Sequence, residues 1–406
     1  MANARAMDRL AEELRAIGLT PEKMPFDMPG WERGDDRVTL LAPFARPLRV
    51  AALSYSQPHP AFSAAVVDVG NGREEDYPAG DVGGCIGLLA AGTPLQARDI
   101  VAAASGHRLR AVLYVNREAG GQLLARTGSF SGEPLPLPIY SIAQEEGAWL
   151  QRLLARGMAV RVQVETKSRC RPIETANLRA RIPGRQPSRR VVGAHFDSWD
   201  LGQGAMDNGL GVAQLYAIGR ALAGTLPQHT IELIWFNGEE QGLWGSRHAA
   251  AQAGGAPIVA MINLDMVGVP VAVNALGDES LVPVLERWHA ARGEAGRLPK
   301  GVENLNWIAS DHTPYQLAGV RTITFNAPIP RESVRYYHDF ADTMDKVAPK
   351  LVDDSSAVII DLVRTLANDE SLDGFRRAAP ETEKLFTQFG LERRMRGMGL
   401  WPFGKE

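Results

Sequence analysis

After Arg171 the chain alternates between short apolar runs and segments with helical periodicity. The apolar runs cover residues 190–194, 230–236, 258–264 and 321–326. Helical patterns follow them at about residues 209–222, 244–253, 280–291 and 350–366. Because each run is short and mostly apolar without strict alternation, it is typical of a strand that is buried on both faces of a sheet. The alternation therefore predicts a parallel or mixed sheet that is covered by helices on both sides.

The chain before Arg171 has a different pattern of helical and extended segments. A helical pattern at residues 4–17 is followed by extended runs at residues 37–41 and 48–53. From about Pro58 short β-runs alternate with helical stretches, and residues 159–166 alternate with period two, as a half-buried antiparallel strand does. Since 406 residues exceed one ordinary domain, we expect two. An amphipathic tail beginning at Glu370 is expected to dock on the body or on a second subunit.

The composition excludes several classes of partner. Hydrophobic residues make up 45% and charged residues 22% of the chain, as in a globular protein. The net charge of −3 provides no basic footprint for nucleic acid or an anionic membrane, and no apolar run approaches the ~18–20 residues of a membrane span. The N-terminus is charged and lacks an apolar leader. The chain is therefore expected to be cytoplasmic if Met1 is the native start, and secreted or periplasmic if it was trimmed.

Cys85 and Cys170 are too few for a disulfide framework, and they match no CxxC metal spacing. We expect buried thiols, and one bridge between them is the alternative.

Residue types that bind metals stand where the apolar runs end. They are two histidines and four carboxylates: His195, Asp207, Glu239, Glu240, Asp265 and His338. Because ligands of an open α/β sheet bind beyond the carboxyl ends of its strands, these side chains are expected at one edge. Such a mixed N/O set suits Zn²⁺, with Mn²⁺ or Co²⁺ as substitutes. A carboxylate shared by two ions ~3.5–4 Å apart would let them activate a water, and one of the adjacent glutamates would then be free to move a proton.

Each of these residues has a plainer interpretation when it is taken alone. A lone histidine such as His195 is more often hydrogen-bonded than metal-bound, and Asp207 stands in a turn that suits a helix cap. Glu239 and Glu240 could be a solvated pair at a helix start. Asp265 follows a long apolar run, where a carboxylate is costly to bury without a cation. The ordered set as a whole favours the metal site.

Two histidines are candidates for the final ligand position. His312, in SDHTPY, competes with His338, although Asp311 and His312 are better suited to supporting or lining the pocket. Tyr336 and Tyr337 are adjacent, and either could simply pack.

The motifs HFDS, GAMDN, NGEEQGLWGS, NLDM, SDHTPY and YYHDFADT occur in this order. In this order they resemble the M28 metallopeptidases, co-catalytic zinc exopeptidases with an α/β/α core. The form HFDSWDLGQGAMDNGLG is most similar to the carboxypeptidase Q (plasma glutamate carboxypeptidase) branch, and residues 81–165 are similar to a protease-associated domain. The resemblance implies an α/β/α sandwich with a mixed, mostly parallel sheet. It also implies a discontinuous catalytic domain (residues 1–57 and 171–369), an inserted β-rich protease-associated domain (58–170) and a C-terminal tail (370–406).

The resemblance also implies two Zn²⁺ ions per chain. Asp207 would bridge them, His195 and Asp265 would complete one ion, and Glu240 and His338 would complete the other.

The same resemblance implies catalytic roles. Glu239 would be the general base, Asp197 would orient His195, and Tyr337 could hydrogen-bond the developing oxyanion. Members of the family often have threonine after the last histidine, but this chain has Asp339. The resemblance therefore does not predict which residues support His338.

The leading hypothesis is a di-zinc exopeptidase, dipeptidase-like or aminopeptidase-like, acting on short peptides. The alternatives are a carboxypeptidase or a hydrolase of an unusual aminoacyl amide, a single-zinc acyltransferase like the glutaminyl cyclases, and a non-enzymatic binding protein like the transferrin-receptor ectodomain. Arg331 or Arg335 could bind a substrate carboxylate, and Glu303 an α-amine. The expected partner is a short peptide or aminoacyl amide, with no nucleic acid or membrane, and a homodimer stays open.

Overall fold

The computed structural model describes residues 2–252, 257–372 and 376–404. The helices of this part are α1 (Ala2–Ala16), α2 (Ala97–Gly106), α3 (Gln144–Ala155), α4 (Leu210–Leu222), α5 (Trp244–Ala251), α6 (Val282–Ala291), α7 (Gly293–Gly296), α8 (His312–Leu317), α9 (Arg331–Val334), α10 (Pro349–Asn368), α11 (Ala379–Gln388) and α12 (Glu392–Met398). The strands are β1 (Glu22–Glu32), β2 (Arg37–Ala42), β3 (Arg46–Leu48), β4 (Val50–Ala52), β5 (His59–Asp68), β6 (Ile86–Leu88), β7 (Ala111–Val115), β8 (Ile139–Ile142), β9 (Arg161–Thr166), β10 (Arg169–Ile182), β11 (Gln186–His195), β12 (His229–Phe236), β13 (Ile258–Asn263), β14 (Ala272–Asn274), β15 (Gly301–Glu303) and β16 (Arg321–Asn326). The predicted end of the fifth helix, Ala253, lies outside the described residues.

The first sheet is mixed and is buried on both faces. Its strand order is β1-β10-β12-β11-β13-β16-β14-β15, and the pairs among β12, β11, β13 and β16 are parallel. Successive side chains of β11 point to opposite faces of the sheet. Val192 packs in an apolar cluster with α1, α4 and α10, and Val191 packs in another with α5 and α8. The predicted α/β fold, with a mixed sheet between helical layers, is confirmed.

The second sheet has the order β3-β2-β9-β5-β6-β7-β8-β4 and carries α2 and α3. As expected, β9 is antiparallel to both of its neighbours, β2 and β5. Strands β2, β3 and β4, which precede residue 58, also belong to this sheet. The division into domains stays a prediction, and on the strand pairing we propose that the inserted unit begins near Arg37.

Strand β1 is not evident in the sequence because it contains Pro25 and Pro29. It lies at the edge of the first sheet, where a missing N–H group is tolerated, and pairs with β10 in antiparallel register. Its alternate residues Met24, Phe26 and Met28 are buried, so the period-two pattern is present despite the prolines.

Two sequence expectations concern features outside the sheets. Cys85 and Cys170 are both free and half-buried, so the alternative of a bridge between them is wrong for this structure. No helix in the described ranges is long and apolar enough to cross a bilayer.

The C-terminal tail docks on the body of the same chain. Phe386 of α11 and Met395 of α12 are fully buried in an apolar cluster with Leu243 and Ile308. Residues 373–375 and 405–406 of the tail lie outside the described part.

Replacing Phe386 with alanine is expected to lower the free energy of unfolding by about 3–5 kcal/mol, because it removes a buried ring and leaves a cavity. Urea unfolding followed by tryptophan fluorescence measures this loss. The exposed neighbour Thr387→Ala is the matched control. A Phe386→Ala protein as stable as that control would show that the tail is not docked in solution.

Candidate metal centre

The residues predicted at strand ends converge on one edge of the first sheet. His195 is the last residue of β11, Asp265 lies two residues after β13, and Glu239 and Glu240 follow β12. His338 lies in the long segment after β16. Because these four strands are parallel, their carboxyl ends meet at this edge.

Asp207 lies between the two imidazoles. Its Oδ1 is 3.1 Å from Nε2 of His195, and its Oδ2 is 3.0 Å from Nε2 of His338. Asp265 Oδ1 lies on the His195 side, 3.5 Å from Nε2, and Glu240 Oε2 lies on the other side, 3.0 Å from Nε2 of His338. Two groups of possible ligand atoms therefore share Asp207, each with its atoms within 4.8 Å of one another.

A third grouping of possible ligand atoms is compatible with the same cluster. His195, Glu239 and Glu240 also bring one ligand atom each within 4.8 Å of one another. Glu239 thus lies beside the cluster, where it could either bind an ion or exchange a proton.

Both imidazoles are oriented by main-chain carbonyl groups. Nδ1 of His195 is 2.9 Å from the carbonyl oxygen of Asp197, and Nδ1 of His338 is 2.9 Å from that of Ala125. Since a carbonyl can only accept, each Nδ1 carries the proton and each Nε2 is left to face the carboxylates. The expected contact of Asp197 with His195 is thus made by its carbonyl oxygen rather than by its carboxylate.

The carboxylate of Asp197 instead holds the turn after β12. Its Oδ1 accepts the main-chain N–H of Glu239 at 3.1 Å, and its Oδ2 accepts that of Glu240 at 3.2 Å. One residue therefore positions His195 through its main chain and both glutamates through its side chain.

The turn that carries Asp207 is held from two sides. The buried carboxylate of Asp342 accepts the N–H groups of Asp207, at 3.0 Å, and of the residue before it, at 2.8 Å. Asn208 donates to the carbonyl of Leu264 at 2.8 Å and accepts the N–H of Met266 at 3.2 Å. These contacts tie Asp207 to the segment that carries Asp265.

The cluster concentrates buried negative charge. Burial lowers the pKa of His338, but the carboxylates of Glu240 and Asp207 outweigh it and raise that pKa to about 10. Burial raises the pKa of Glu240 to about 7, against the opposing effect of His338. Glu240 Oε1 is buried and has no hydrogen-bond partner among the described residues. A carboxylate that has one orphaned oxygen and is grouped with both imidazoles belongs to a donor set that fits a divalent cation such as zinc.

Tyr337 stands at the rim of the cluster. Its ring stacks on that of His338 with centroids 3.6 Å apart, and 39% of the residue is exposed, so it reaches from the cluster to solvent. Desolvation against the cluster and the carboxylates of Asp207 and Glu240 raise the pKa of Tyr337 well above its ordinary value. The phenol therefore remains a hydrogen-bond donor.

His312 does not join the ligand groups. Its Nε2 faces the carbonyl of Trp307 at 2.9 Å, and burial lowers its pKa to about 4. Asp311 is fully buried beside it, and burial raises the pKa of this carboxyl to about 7. Among the described residues, His338 rather than its rival is grouped with Asp207 and Glu240.

The residues predicted to bind the ends of a substrate differ in their exposure and contacts. Arg331 is exposed on α9, Arg335 donates to the carbonyl of Ala119 at 2.9 Å, and Glu303 accepts both of its contacts from Asn326 at 3.2 Å.

Two supports of the site were missed by sequence reasoning. The segment around Ala125, in the second sheet's half of the chain, meets the His338 loop: Ala125 N–H donates to the carbonyl of His338 at 2.9 Å, and Leu123 N–H donates to Asp339 at 2.8 Å. Asp342 is the other. It stands four residues after His338 among other acidic residues, and its contacts with the Asp207 turn distinguish it from the equally buried Asp339.

Replacing Asp342 with asparagine is expected to weaken metal binding about 10–100-fold, since its second oxygen becomes an NH₂ group facing an N–H group of the Asp207 turn. Competition with a zinc chelator measures the change. Asp345→Asn, at an exposed carboxylate three residues away, is the control. Equal affinities of the two variants would contradict the assigned role of Asp342.

The protein-family comparison decides the family. A model described as peptidase family M28 matches residues 177–363, which include every candidate ligand. This part of the chain belongs to peptidase family M28. The predicted family and the prediction of a metallopeptidase are thereby confirmed, and membership of M28 implies zinc as the metal.

The chain is also similar to curated proteins and to a solved structure that carry peptidase names. Aminopeptidase YwaD of Bacillus subtilis (strain 168) is 25% identical over 84% of this chain and 74% of its own length. Carboxypeptidase Q of Bos taurus is 28% identical over 60% of this chain, and the match spans about half (55%) of the relative. The structure of a zinc aminopeptidase from Bacillus subtilis has the same fold, with a TM-score of 0.73 and 22% identity over 92% of this chain and 91% of that one.

Proposed function

We propose that this M28 chain is a di-zinc exopeptidase that hydrolyses the amide bond of short peptides. The observation that carries the proposal is the position of Asp207, whose two carboxylate oxygens each lie within about 3.1 Å of a different imidazole Nε2. A carboxylate shared between two ligand groups is the arrangement that holds two ions close together. The printed names of the relatives, an aminopeptidase and a carboxypeptidase, support action at a peptide end.

In this proposal the ligands divide into two sets around Asp207. His195 and Asp265 would hold one ion, and Glu240 and His338 would hold the other. Ser310 donates to Asp265 Oδ2 at 2.6 Å, which leaves Oδ1 directed toward His195. Zinc bound here would polarise the scissile carbonyl and lower the pKa of a bound water.

Glu239 is the residue we assign to proton transfer. It lies within reach of the cluster, and Asp197 fixes its main chain. Burial raises the pKa of Glu239 well above its ordinary value, and the carboxylates of Glu240 and Asp311 act in the same direction against His195. A carboxylate made more basic in this way accepts a proton from water and returns it to the leaving nitrogen.

Two further residues have supporting roles. Tyr337 donates its phenolic hydrogen toward the developing oxyanion, since its raised pKa keeps the hydroxyl protonated. Asp197 positions His195 through its carbonyl oxygen and Glu239 through its carboxylate.

Metal analysis combined with a peptide screen tests the function. The zinc-loaded protein is expected to contain two ions per chain and to release free amino acids from unblocked dipeptides. One ion per chain with a ring-closed product from an N-terminal glutamine peptide would instead favour the acyltransferase. A chain that binds zinc but cleaves neither dipeptides, N-blocked dipeptides nor aminoacyl amides would overturn the exopeptidase.

A further inference from the structure

A cavity of about 570 Å³ adjoins the metal centre, and Tyr337 and His338 form part of its wall. Other parts of the wall come from the second sheet and its loops and from α12 of the tail. Substrate bound at the cluster would therefore have room to extend into this cavity beside His338.

The cavity is lined by an excess of positive charge. Four arginines face a single carboxylate there: Arg117, Arg126, Arg335, Arg394 and Glu118. Arg117 pairs with Glu118 at 3.4 Å, so that carboxylate is already engaged. Arg335 is directed to a main-chain carbonyl and lies over the ring of Tyr336, 5.4 Å from its centroid.

Arg126 and Arg394 remain without a carboxylate partner among the described residues. Arg126 donates only to neutral groups, Gln96 Oε1 at 3.0 Å and the Tyr114 hydroxyl at 3.4 Å. Arg126 and Arg394 line the same cavity, and burial together with the guanidinium of Arg126 lowers the pKa of Arg394. Two like charges that converge on one cavity are stabilised when an anion binds between them.

The tail helix that carries Arg394 is held in place. Met395 is fully buried in the apolar cluster of the tail, and Arg98 of α2 donates to the carbonyl of Arg396. The segment with Arg126 is equally restrained, because the adjacent Ala125 pairs with His338 in both directions. The main chain at both arginines is thus held in place, while the side chain of Arg126 is half-buried and that of Arg394 is exposed at the cavity.

We propose that Arg126 and Arg394 form a subsite for a carboxylate of the substrate, beside the His338 half of the metal centre. The inference rests on the proposed function, because it treats the cavity as part of the substrate cleft. It selects peptides with an anionic group just beyond the scissile bond. That group is the free C-terminal carboxylate of a dipeptide or an acidic side chain of the second residue.

Binding measured without turnover tests the subsite. In the zinc-loaded Glu239→Gln protein, calorimetry compares a panel of neutral dipeptides with their C-terminal amides and with amides whose second residue is glutamate. The free acids are expected to bind about 10–100-fold more tightly than the neutral amides, as for a charge-assisted contact. If the glutamate amides bind as tightly as the free acids, the subsite also accepts an acidic side chain. If they bind as weakly as the neutral amides, the subsite accepts only the C-terminal carboxylate.

Variants of the two arginines test whether they form the subsite. Arg394→Gln and Arg126→Gln should each reduce the preference for the acid, whereas Arg393→Gln should preserve it, because Arg393 is exposed like Arg394 but does not line this cavity. Equal affinity of acids and amides, or no binding of any acid in the panel, overturns the subsite. A preserved acid preference in a wild-type protein that cleaves no peptide would refute the exopeptidase and support the subsite.

Discussion

Replacement of Glu239 with glutamine is expected to lower kcat for dipeptide hydrolysis by about 10²–10⁴-fold while leaving the zinc content at two ions per chain. Glutamine keeps the size of the side chain and the main-chain contact to Asp197, but its amide cannot accept and return a proton. The loss should therefore appear in kcat, with little change in KM.

Steady-state kinetics and metal analysis of the same preparation separate the two roles open to Glu239. Glu286→Gln, at an exposed glutamate of α6 remote from the cluster, is the matched control and should keep full activity. Loss of an ion from the Glu239→Gln protein would make this residue a ligand, as the grouping with His195 and Glu240 allows. Full activity with two ions bound would remove Glu239 from the mechanism.

Replacement of Asp207 with asparagine is expected to weaken the binding of both ions, each by more than about 100-fold, because a shared ligand contributes more than the surrounding residues that support it. In the part of the chain that the structure describes, Asp207 is the candidate ligand with an oxygen within about 3.1 Å of each imidazole. Asparagine preserves the volume of the buried side chain, and its main-chain N–H can still donate to Asp342.

Variants of residues that are assigned to one ion each show whether Asp207 bridges the two ions. Asp265→Asn and Glu240→Gln should each leave about one ion bound, whereas Asp207→Asn should leave neither at the same free zinc concentration. Circular dichroism checks that the three variants remain folded. If Asp207→Asn retained one ion with wild-type affinity, Asp207 would belong to one site alone.

The predictable part of this protein is local in sequence. Strands β11, β12, β13 and β16 were predictable because each is an apolar run followed by a helix. Metal-binding residue types stand at or within four residues of the ends of β11, β12 and β13, and His338 follows β16 after a longer segment. Strands β14 and β15 were not, since three residues are too few to show a period. Strand β1 was hidden by its prolines, which only an edge position tolerates.

The supporting residues of the site were not predictable. Ala125 and His338 are 213 residues apart, and Asp342 and Asp207 are 135 apart. Nothing near Ala125 marks its carbonyl as a partner for an imidazole, because every residue has such a carbonyl. Asp197 illustrates the same limit: its position next to His195 was evident, but which of its oxygens faces the ring was not.

By itself, the sequence determined which residue types reach the sheet edge, because strand ends and the order of motifs are properties of short segments. The family resemblance implied that Asp207 stands between His195 and His338, and the tertiary structure places it there. Only the tertiary structure decided that Asp342 and Ala125 hold this site, and that the second sheet and the tail bring Arg126 and Arg394 to the same cavity. The physical reason is distance along the chain. Contacts between segments more than a hundred residues apart depend on how whole layers pack, and no local pattern records that packing.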